Sequence, residues 1–548
     1  NIAKSDYRRF TFRLNSEHII YKTDDRDVIK FGQNLYYQHA QTQGIQIGNQ
    51  YSNAISTMLR ANPCVPVYNA NGDYFMYDDL KNSGTDGWFA YNSYTSNPVA
   101  EIVNTQSGNN KSKNFNLNAV AYFEVQPIKN LTYRSQAYYK QYSSLWKGYT
   151  GEYKINDQGN AADQSTLSEN MTIGWNWGVT NTLNYKFDLP KEHHFDVLVG
   201  TEYSREGNNM AETLEAMAKG NVFTDFSHAY FDNFTGRTGL ATVGGYPVDD
   251  HSILSYFGRV NYDYKERYMF TAIMRGDGSS NFADGHRWGY FPSFSAAWRI
   301  SEEGFMKNLG FVDNLKLRAS WGQTGNERID AFMYLPQYNT SNVVMNGSLV
   351  SAVYQKKMAN PDVTWETVEQ TNIGLDFGFL NNTIYGELDW YSKDTKDILL
   401  ALGIPHFIGL DAPEQNAGVV RNSGVEAMVG FRKTFGEFTF NTSFNLAYNK
   451  NEWIDRGGDD KNISGYNIQT IGSPLNAFYI YQADGLIANE QELEEYRAKY
   501  KSDPRGMSDL HAGDVKLVDT NNDGTIDPDD RQIFASNIPK FTYGWNIS

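Results

Sequence analysis

The sequence predicts an all-β fold of the transmembrane antiparallel β-barrel class, with about 16 strands and long extracellular loops. Three observations support this prediction. The predicted strands have one apolar and one polar face, the connections alternate between very short and very long, and aromatic residues are abundant. A barrel in a bacterial outer membrane needs these features, because it has tight turns at one rim and long loops at the other.

The two-faced strands are read from the alternation of side chains. In residues 438–448, Phe440 and Phe444 lie on one face, whereas Asn441 and Asn445 lie on the other. Charged or polar residues alternate with apolar ones in the same way in residues 294–300, 315–321 and 384–391. Unpaired charges on so many strands would be too costly in a dry core. The pattern therefore predicts water on one side of the sheet.

The connections fall into two classes. Short ones are predicted near residues 24–27, 126–130, 190–193, 264–267, 380–382 and 435–437. Long polar ones are predicted over residues 44–111, 142–169, 205–251, 322–365 and 405–419. Loops of this length argue against a compact soluble domain, but they are expected at the outer rim of a membrane barrel. Residues 211–218, within the third of these connections, and residues 489–500 are predicted helices, the second capped by Asn489 with Glu492 three residues on.

Composition agrees with a single large architecture. The 548 residues contain no linker-like stretch and no apolar run long enough for a membrane helix, and the mean hydropathy is -0.58. The 38 Tyr, 32 Phe and 11 Trp suit aromatic girdles at the membrane interfaces. The net charge of -16 argues against nucleic acid as a partner. Cys64 is the single cysteine, which excludes a disulfide within the chain.

Several long blocks resemble the SusC/RagA family of TonB-dependent outer-membrane transporters. They include LKLRASWGQTGN at residues 315–326 and RNSGVEAMVGF at residues 421–431. The other blocks lie at residues 254–306, 360–384 and 515–546. The blocks cover most of the chain after about residue 250, in the order that the family has. Before that point, the chain shares the family's alternation of strands and loops more than its sequence motifs.

The resemblance implies a fold and a function. Such proteins are Bacteroidetes transporters with a barrel of about 22 strands, filled by an N-terminal plug that carries the TonB box. A SusD-like surface lipoprotein covers them, the TonB-ExbB-ExbD complex energises them, and they import oligosaccharides or peptides. By this resemblance, residues 1–548 form a partial barrel in contact with outer-membrane lipid, without the plug domain and the final C-terminal strands. We expect the protein to lie in the cell outer membrane.

A calcium loop is the sharpest chemical motif. Residues 519–530 have oxygen ligands at positions 1, 3 and 5, Gly524 at position 6 and an acid at position 12, as in an EF-hand loop. The predicted Ca²⁺ ligands are Asp519, Asn521, Asp523, Thr525 through its carbonyl, Asp527 and Asp530. Aspartate at position 12 is shorter than the usual glutamate. The alternative is an Asx-rich surface turn without metal.

The loop aromatics are candidate cargo contacts, because aromatic rings stack on sugars. The predicted substrate-binding residues are Trp88, Tyr91, Trp146 and Trp453. The alternative is that these rings pack the loops together or lie in the interfacial belt. No zincin motif or nucleophile elbow is present, so we predict no enzyme and no catalytic residue.

Four functional hypotheses follow. The preferred one is TonB-energised import of nutrient oligosaccharides, and the second is import of peptides by a transporter of the same family. A secreted carbohydrate-active protein with a calcium-binding module would explain the loop and the aromatics, but it should carry a second calcium repeat. An adhesin or a passive porin would share the barrel but not the plug and the TonB box.

Overall fold

The computed structural model describes residues 5–44, 54–60, 66–75, 79, 97–104, 109–154, 161–223, 226–239, 241–245, 250–327, 329, 333–458 and 461–548. Chain contacts divide it into two compact units. The first is Asn1–Leu183 with Thr201–Leu254, and the second is Asn184–Gly200 with Ser255–Ser548. The main sheet has 16 strands, and the strand pairs with described registers are antiparallel, apart from one isolated bridge. The predicted fold class is confirmed in these respects.

The early strands are β1 (Asp6–Lys22), β2 (Asp27–Gln43), β3 (Asn110–Ile128), β4 (Leu131–Thr150), β5 (Tyr153–Lys154), β6 (Ala161–Ala162), β7 (Ser165–Leu189), β8 (His193–Ala218) and β9 (Thr242–Gly245). In the main sheet they follow the order β1-β2-β3-β4-β7-β8, with β9 beside β8. Two short helices, α1 (Ala54–Arg60) and α2 (Pro98–Asn104), lie in the connection between β2 and β3. Short 3₁₀ turns occur at Phe226–His228 and Phe231–Asn233.

The later strands of the main sheet are β10 (His251–Tyr264), β11 (Tyr268–Ser279), β12 (Trp288–Arg299), β13 (Val312–Asn326), β16 (Glu366–Phe379), β17 (Ile384–Ala401), β18 (Glu414–Phe435), β19 (Phe438–Arg456) and β26 (Phe541–Ile547). They pair in that order. The loops carry a hairpin, β14 (Gln337–Met345) with β15 (Ser348–Lys357). Further 3₁₀ turns lie at Ile300–Glu302 and His406–Ile408.

The connection from β19 to β26 folds into a small module of its own, which we call the surface module (residues 461–536). It contains β20 (Lys461–Ser464), β21 (Asn467–Thr470), β22 (Ala477–Tyr481), β23 (Ala483–Leu486), α3 (Glu490–Lys499), β24 (Val515–Leu517) and β25 (Arg531–Ser536), with 3₁₀ turns at Met507–Asp509 and Pro528–Asp530. Strands β20, β21, β22 and β25 form one sheet, and β23 pairs with β24. None of the helices in the described part of the chain is long and apolar enough to cross a membrane.

All six predicted short connections are confirmed as tight turns between adjacent strands. The backbone explains why these residues suit them. Lys265 and Glu266 both have positive φ, at 58° and 53°, which is the conformation of a type I′ hairpin turn. Asn130 and Gly436 have φ of 66° and 65°, and Asn and Gly tolerate this region best. The turns therefore fix the registers from which the strand faces follow.

The two faces of the sheet differ as predicted. Phe444 lies opposite Val429 on one side and Trp545 on the other, and all three side chains are exposed. On the opposite face, the Arg318 guanidinium lies 2.7 Å from a carboxylate oxygen of Asp376 and 3.0 Å from one of Asp389. Continuous exposed apolar rows on one face and paired charges on the other indicate lipid on the first and water on the second.

Two predictions about the loops are wrong. Residues 211–218 are the end of β8 and not a helix, because Glu212 to Glu215 pair with β9, and strand pairing overrides their helical propensity. The long loops are also shorter than predicted, since β4, β7 and β8 extend to 20, 25 and 26 residues. A span of about 9–11 residues crosses a bilayer, so these strands continue well beyond it.

Candidate functional site: the surface module and the lysine cavity

The surface module has its own apolar core. Ile487, Leu493, Leu510 and Ile526 are almost completely buried, and Tyr496 packs with them. The predicted helix is confirmed as α3, and its first turn is capped as predicted: the Asn489 side chain accepts a hydrogen bond from the Glu492 backbone N–H at 3.0 Å. This core holds the predicted calcium loop against α3.

The loop at residues 519–530 is folded by hydrogen bonds from its backbone to its own side chains. An Asp519 carboxylate oxygen accepts a hydrogen bond from the Gly524 N–H at 2.8 Å. Asn521 accepts one from the Asp523 N–H at 2.9 Å, and Asp523 accepts one from the Thr525 N–H at 2.8 Å. Gly524 has φ of 80°, where a side chain would be strained. Three oxygen-bearing side chains at alternate positions, Asp519, Asn521 and Asp523, are thus folded into one tight turn.

Asp530 closes this loop. Its side chain is completely buried, and its two oxygens accept hydrogen bonds from the Thr520 and Asp527 N–H groups at 2.8 and 2.9 Å. Burial disfavours the charged form, but hydrogen bonds from the backbone of Asp527, Thr520 and Asn521 outweigh it and hold the pKa of Asp530 below its ordinary value. The carboxylate at position 12 therefore organises the loop backbone.

The fit to calcium is partial. Asp519, Asn521 and Asp523 share the turn, and Asp527 caps the following 3₁₀ turn by accepting the Asp529 N–H at 2.8 Å. Among the residues that the structure describes, however, no three His, Cys, Asp or Glu side chains lie close enough together to hold a metal ion. The loop thus offers the Asp519, Asn521 and Asp523 side-chain oxygens in one turn, without a preformed carboxylate cluster around a Ca²⁺ position.

Sequence reasoning missed a second buried carboxylate. The Asp503 side chain is fully buried, with the Arg505 guanidinium 2.7 Å away and the Tyr496 hydroxyl donating to it at 3.0 Å. Burial opposes ionisation, but the hydrogen bonds from Arg505 and Tyr496 hold the pKa of Asp503 below its ordinary value. Burial and the Asp503 carboxylate together raise the pKa of Tyr496 to about 12. Only the fold brings these three residues together.

The four aromatic residues predicted to contact cargo differ in where the structure places them. Trp88 and Tyr91 lie outside the described residues. Trp453 is only 3% exposed, with the Arg456 guanidinium 5.1 Å from its ring centre, so in this conformation no ring face is open to a sugar. Trp146 lies near the loop end of β4, where alternation places its Cβ on the polar face. Of the two predicted residues that the structure describes, Trp146 remains a candidate cargo contact.

The first unit contains a cavity of about 1010 Å³, bounded by the loop ends of β3, β4, β7 and β8 and by part of the connection from β8 to β10. Its lining includes Lys111, Lys113, Lys147, Glu169 and Tyr230, with Trp146 among the residues that border it. The sequence carried a signal for these lysines, namely cations at alternate positions 111 and 113 of a strand. Their meeting with Lys147 depends on the strand register.

Comparison with known proteins identifies the class. A family model described as TonB dependent receptor-like, beta-barrel, matches residues 65–528. The chain is 29% identical over 551 residues to a TonB-dependent receptor of Formosa agariphila, covering 99% of this chain and 52% of the relative. It is 28% identical over 571 residues to the TonB-dependent receptor SusC of Bacteroides thetaiotaomicron, covering 97% and 51%.

The solved structures agree on the fold. The RagAB peptide transporter superposes with a TM-score of 0.74 at 22% identity, over 99% of this chain and 56% of that chain. Fold and surface thus define an outer-membrane β-barrel, and the matched family is one of TonB-dependent receptors and not of enzymes. The chain belongs to the TonB-dependent receptor β-barrel family and is of the SusC/RagA type. It spans about half the length of the curated relatives it matches.

Proposed function

We propose that the intact protein imports nutrient oligosaccharides across the outer membrane, with energy supplied through TonB. The observation that carries this proposal is the family match over residues 65–528 on a sheet whose polar face is lined with paired charges. Such a face suits a hydrated passage for polar cargo. Trp146, on the polar face near the loop end of β4, is the proposed aromatic contact for a sugar ring.

The proposal includes two sets of partners. A SusD-like surface lipoprotein covers the loop side and captures the cargo, and the TonB-ExbB-ExbD complex supplies energy from the inner membrane. The family match and the similarity to the TonB-dependent receptor SusC support this assignment. Trp88 and Tyr91 are retained as further proposed cargo contacts.

Peptide import is the second candidate. The RagAB structure is that of a peptide transporter, but at 22% identity the similarity shows only that the two folds are alike. The aromatic content of the loops favours glycans. A secreted carbohydrate-active protein is not retained, because the family match covers most of the chain.

Ligand binding by the intact protein tests the proposal. The protein and its neighbouring lipoprotein would be purified together in detergent and screened against defined oligosaccharides and oligopeptides, with uptake measured in cells with and without TonB. We expect retention of at least one oligosaccharide class, TonB-dependent uptake, and weaker retention by W146A. Retention of oligopeptides and of no glycan would favour the second candidate, and TonB-independent uptake would contradict both.

We also propose that the loop at residues 519–530 binds a structural Ca²⁺ through Asp519, Asn521, Asp523 and the Thr525 carbonyl, with Asp527 and Asp530 completing the site. The turn conformation and the oxygen-rich side chains support this proposal. Calcium should raise the unfolding temperature of the surface module in the intact protein, and D519A should abolish that rise. An equal response of both proteins to calcium would remove the site.

A further inference from the structure

A group of lysines lies on the apolar face of the first unit, immediately beyond the end of its apolar band. On β3, Val125 and Phe115 share this face with Lys113 and Lys111, because alternate residues point the same way. Ten residues at about 3.3 Å each, tilted by about 40°, rise about 25 Å, which is the height of the apolar band of such barrels. Lys113 is therefore the first side chain above the hydrocarbon.

The lysines lie on the extracellular side. Strand β3 is joined to β4 by a tight turn at its other end, and tight turns mark the periplasmic rim of these barrels. Just below the lysines, the Phe115 ring stacks on His39 with ring centres 4.6 Å apart. Girdles of aromatic side chains flank the apolar band of such barrels at the membrane interfaces. The lysine group thus faces the headgroup layer of the outer leaflet.

The charges in this group are not balanced. Lys111 lies directly opposite Lys147 in the register of β3 and β4, and like charges in that position repel. The Lys147 ammonium is 3.0 Å from a Glu169 carboxylate oxygen and 4.3 Å from the centre of the Tyr230 ring. Neither Lys111 nor Lys113 has an ion-pair partner among the residues that the structure describes. An anion between these strands would relieve the repulsion.

There is space for such an anion. The lysines line the cavity of about 1010 Å³, together with Phe226 and Tyr230 from the connection that follows β8. Glu169 and Glu212 also line it, so the three lysines leave a surplus of positive charge. A phosphate monoester carries about 1.5 to 2 negative charges at neutral pH, and the aromatic side chains offer a surface for a sugar ring.

We propose that this cavity binds the phosphorylated sugar headgroup of a glycolipid in the outer leaflet. Lys111, Lys113 and Lys147 contact the phosphate, Tyr230 and Phe226 contact the sugar, and the acyl chains run along the Phe115 side of the strands. The three lysines are on the face of the sheet opposite to that of the Trp146 Cβ, and Trp146 itself borders the cavity. The inference rests on the membrane orientation of the sheet and is independent of the cargo.

Lipid binding by the intact protein in detergent tests the proposal. Native mass spectrometry would measure binding of lipid A, of the same glycolipid without its phosphates, and of inorganic phosphate. We expect lipid A to bind best and K111Q/K113Q to weaken it about 30-fold, since basic side chains near an anionic lipid surface act additively. The matched control, K129Q/K191Q, removes two lysines from the opposite rim and should bind as the parent does.

The proposal would be overturned by equal binding by K111Q/K113Q, by equal binding of the dephosphorylated glycolipid, or by binding of inorganic phosphate as tight as that of lipid A. The single variant K113Q, at an exposed site, guards against misfolding of the double variant. It should keep the parent's unfolding temperature and bind lipid A about 5-fold more weakly. Unchanged binding by a folded K113Q would also contradict the proposal.

Discussion

At the residue scale, the surface module is held by two buried carboxylates that serve different purposes. Asp530 is surrounded by backbone N–H groups and shapes the calcium loop. Asp503 is paired with Arg505 and Tyr496 and joins α3 to the segment that follows it. A buried carboxylate with these partners stabilises a fold only while it is charged.

The stability of the module should therefore depend on pH through Asp503. Its pKa is lower in the folded module than in the unfolded chain, so its contribution is present above the ordinary carboxyl pKa of about 4 and is lost as the pH falls through the folded value. D503N should destabilise the module at neutral pH by about 1–3 kcal/mol, because Arg505 loses its charged partner. It should also flatten the loss of stability in acid.

Hydrogen exchange of α3 in the intact protein, corrected for the intrinsic effect of pH, measures both effects. The matched control is D509N, whose carboxylate is on the exposed 3₁₀ turn at Met507–Asp509. Parent-like protection of D503N at neutral pH, or an unchanged acid profile, would contradict the role given to Asp503.

At the element scale, aromatic rings on the polar face pack over glycines of neighbouring strands and hold these strands together. The Tyr122 ring on β3 covers Gly32 on β2, where an added Cβ would overlap it. Tyr122 also donates a hydrogen bond to Glu17 on β1 at 2.6 Å, and the Arg134 guanidinium of β4 lies 3.9 Å from its ring centre. One ring thus connects four consecutive strands.

G32A should displace this ring and destabilise the intact protein by about 1–3 kcal/mol, the usual cost of overpacking. Lost contacts to Glu17 and Arg134 should add to that cost. Thermal unfolding in detergent measures the effect, and G304A is the control, because an added Cβ there has no atom within 4 Å. Equal unfolding temperatures for G32A and the parent would show that the ring does not couple these strands.

The sequence predicts strands and turns correctly wherever a local pattern of residues determines them. Alternation predicts strands such as β19, and turn chemistry predicts the hairpin connections at Lys265 and Gly436. Residues 211–218 escape this reasoning, because their pairing with β9 is not local. The same limit applies to sites. The calcium loop is contiguous and can therefore be recognised from the sequence. The contact of Asp503 with Tyr496 depends on packing, and the position of Lys111 opposite Lys147 depends on strand register.

At the scale of the whole molecule, one sheet separates two environments. Its apolar face carries exposed Phe, Trp, Leu and Val side chains, and its opposite face carries ion pairs such as Arg318 with Asp376 and Asp389. The family assigns hydrocarbon to the first face. Cargo contact, the lysine cavity and the stability of the strands all depend on this orientation.

Solvent accessibility along β19 tests the orientation most directly. Single cysteines would replace residues 443–448 in a Cys64→Ser background of the intact protein, and spin labels would report collision with oxygen or with a water-soluble nickel chelate. We expect labels at Phe444 and Leu446 to favour oxygen and labels at Asn445 and Ala447 to favour nickel, with a period of two. Uniform access of nickel to all six positions would contradict the membrane orientation.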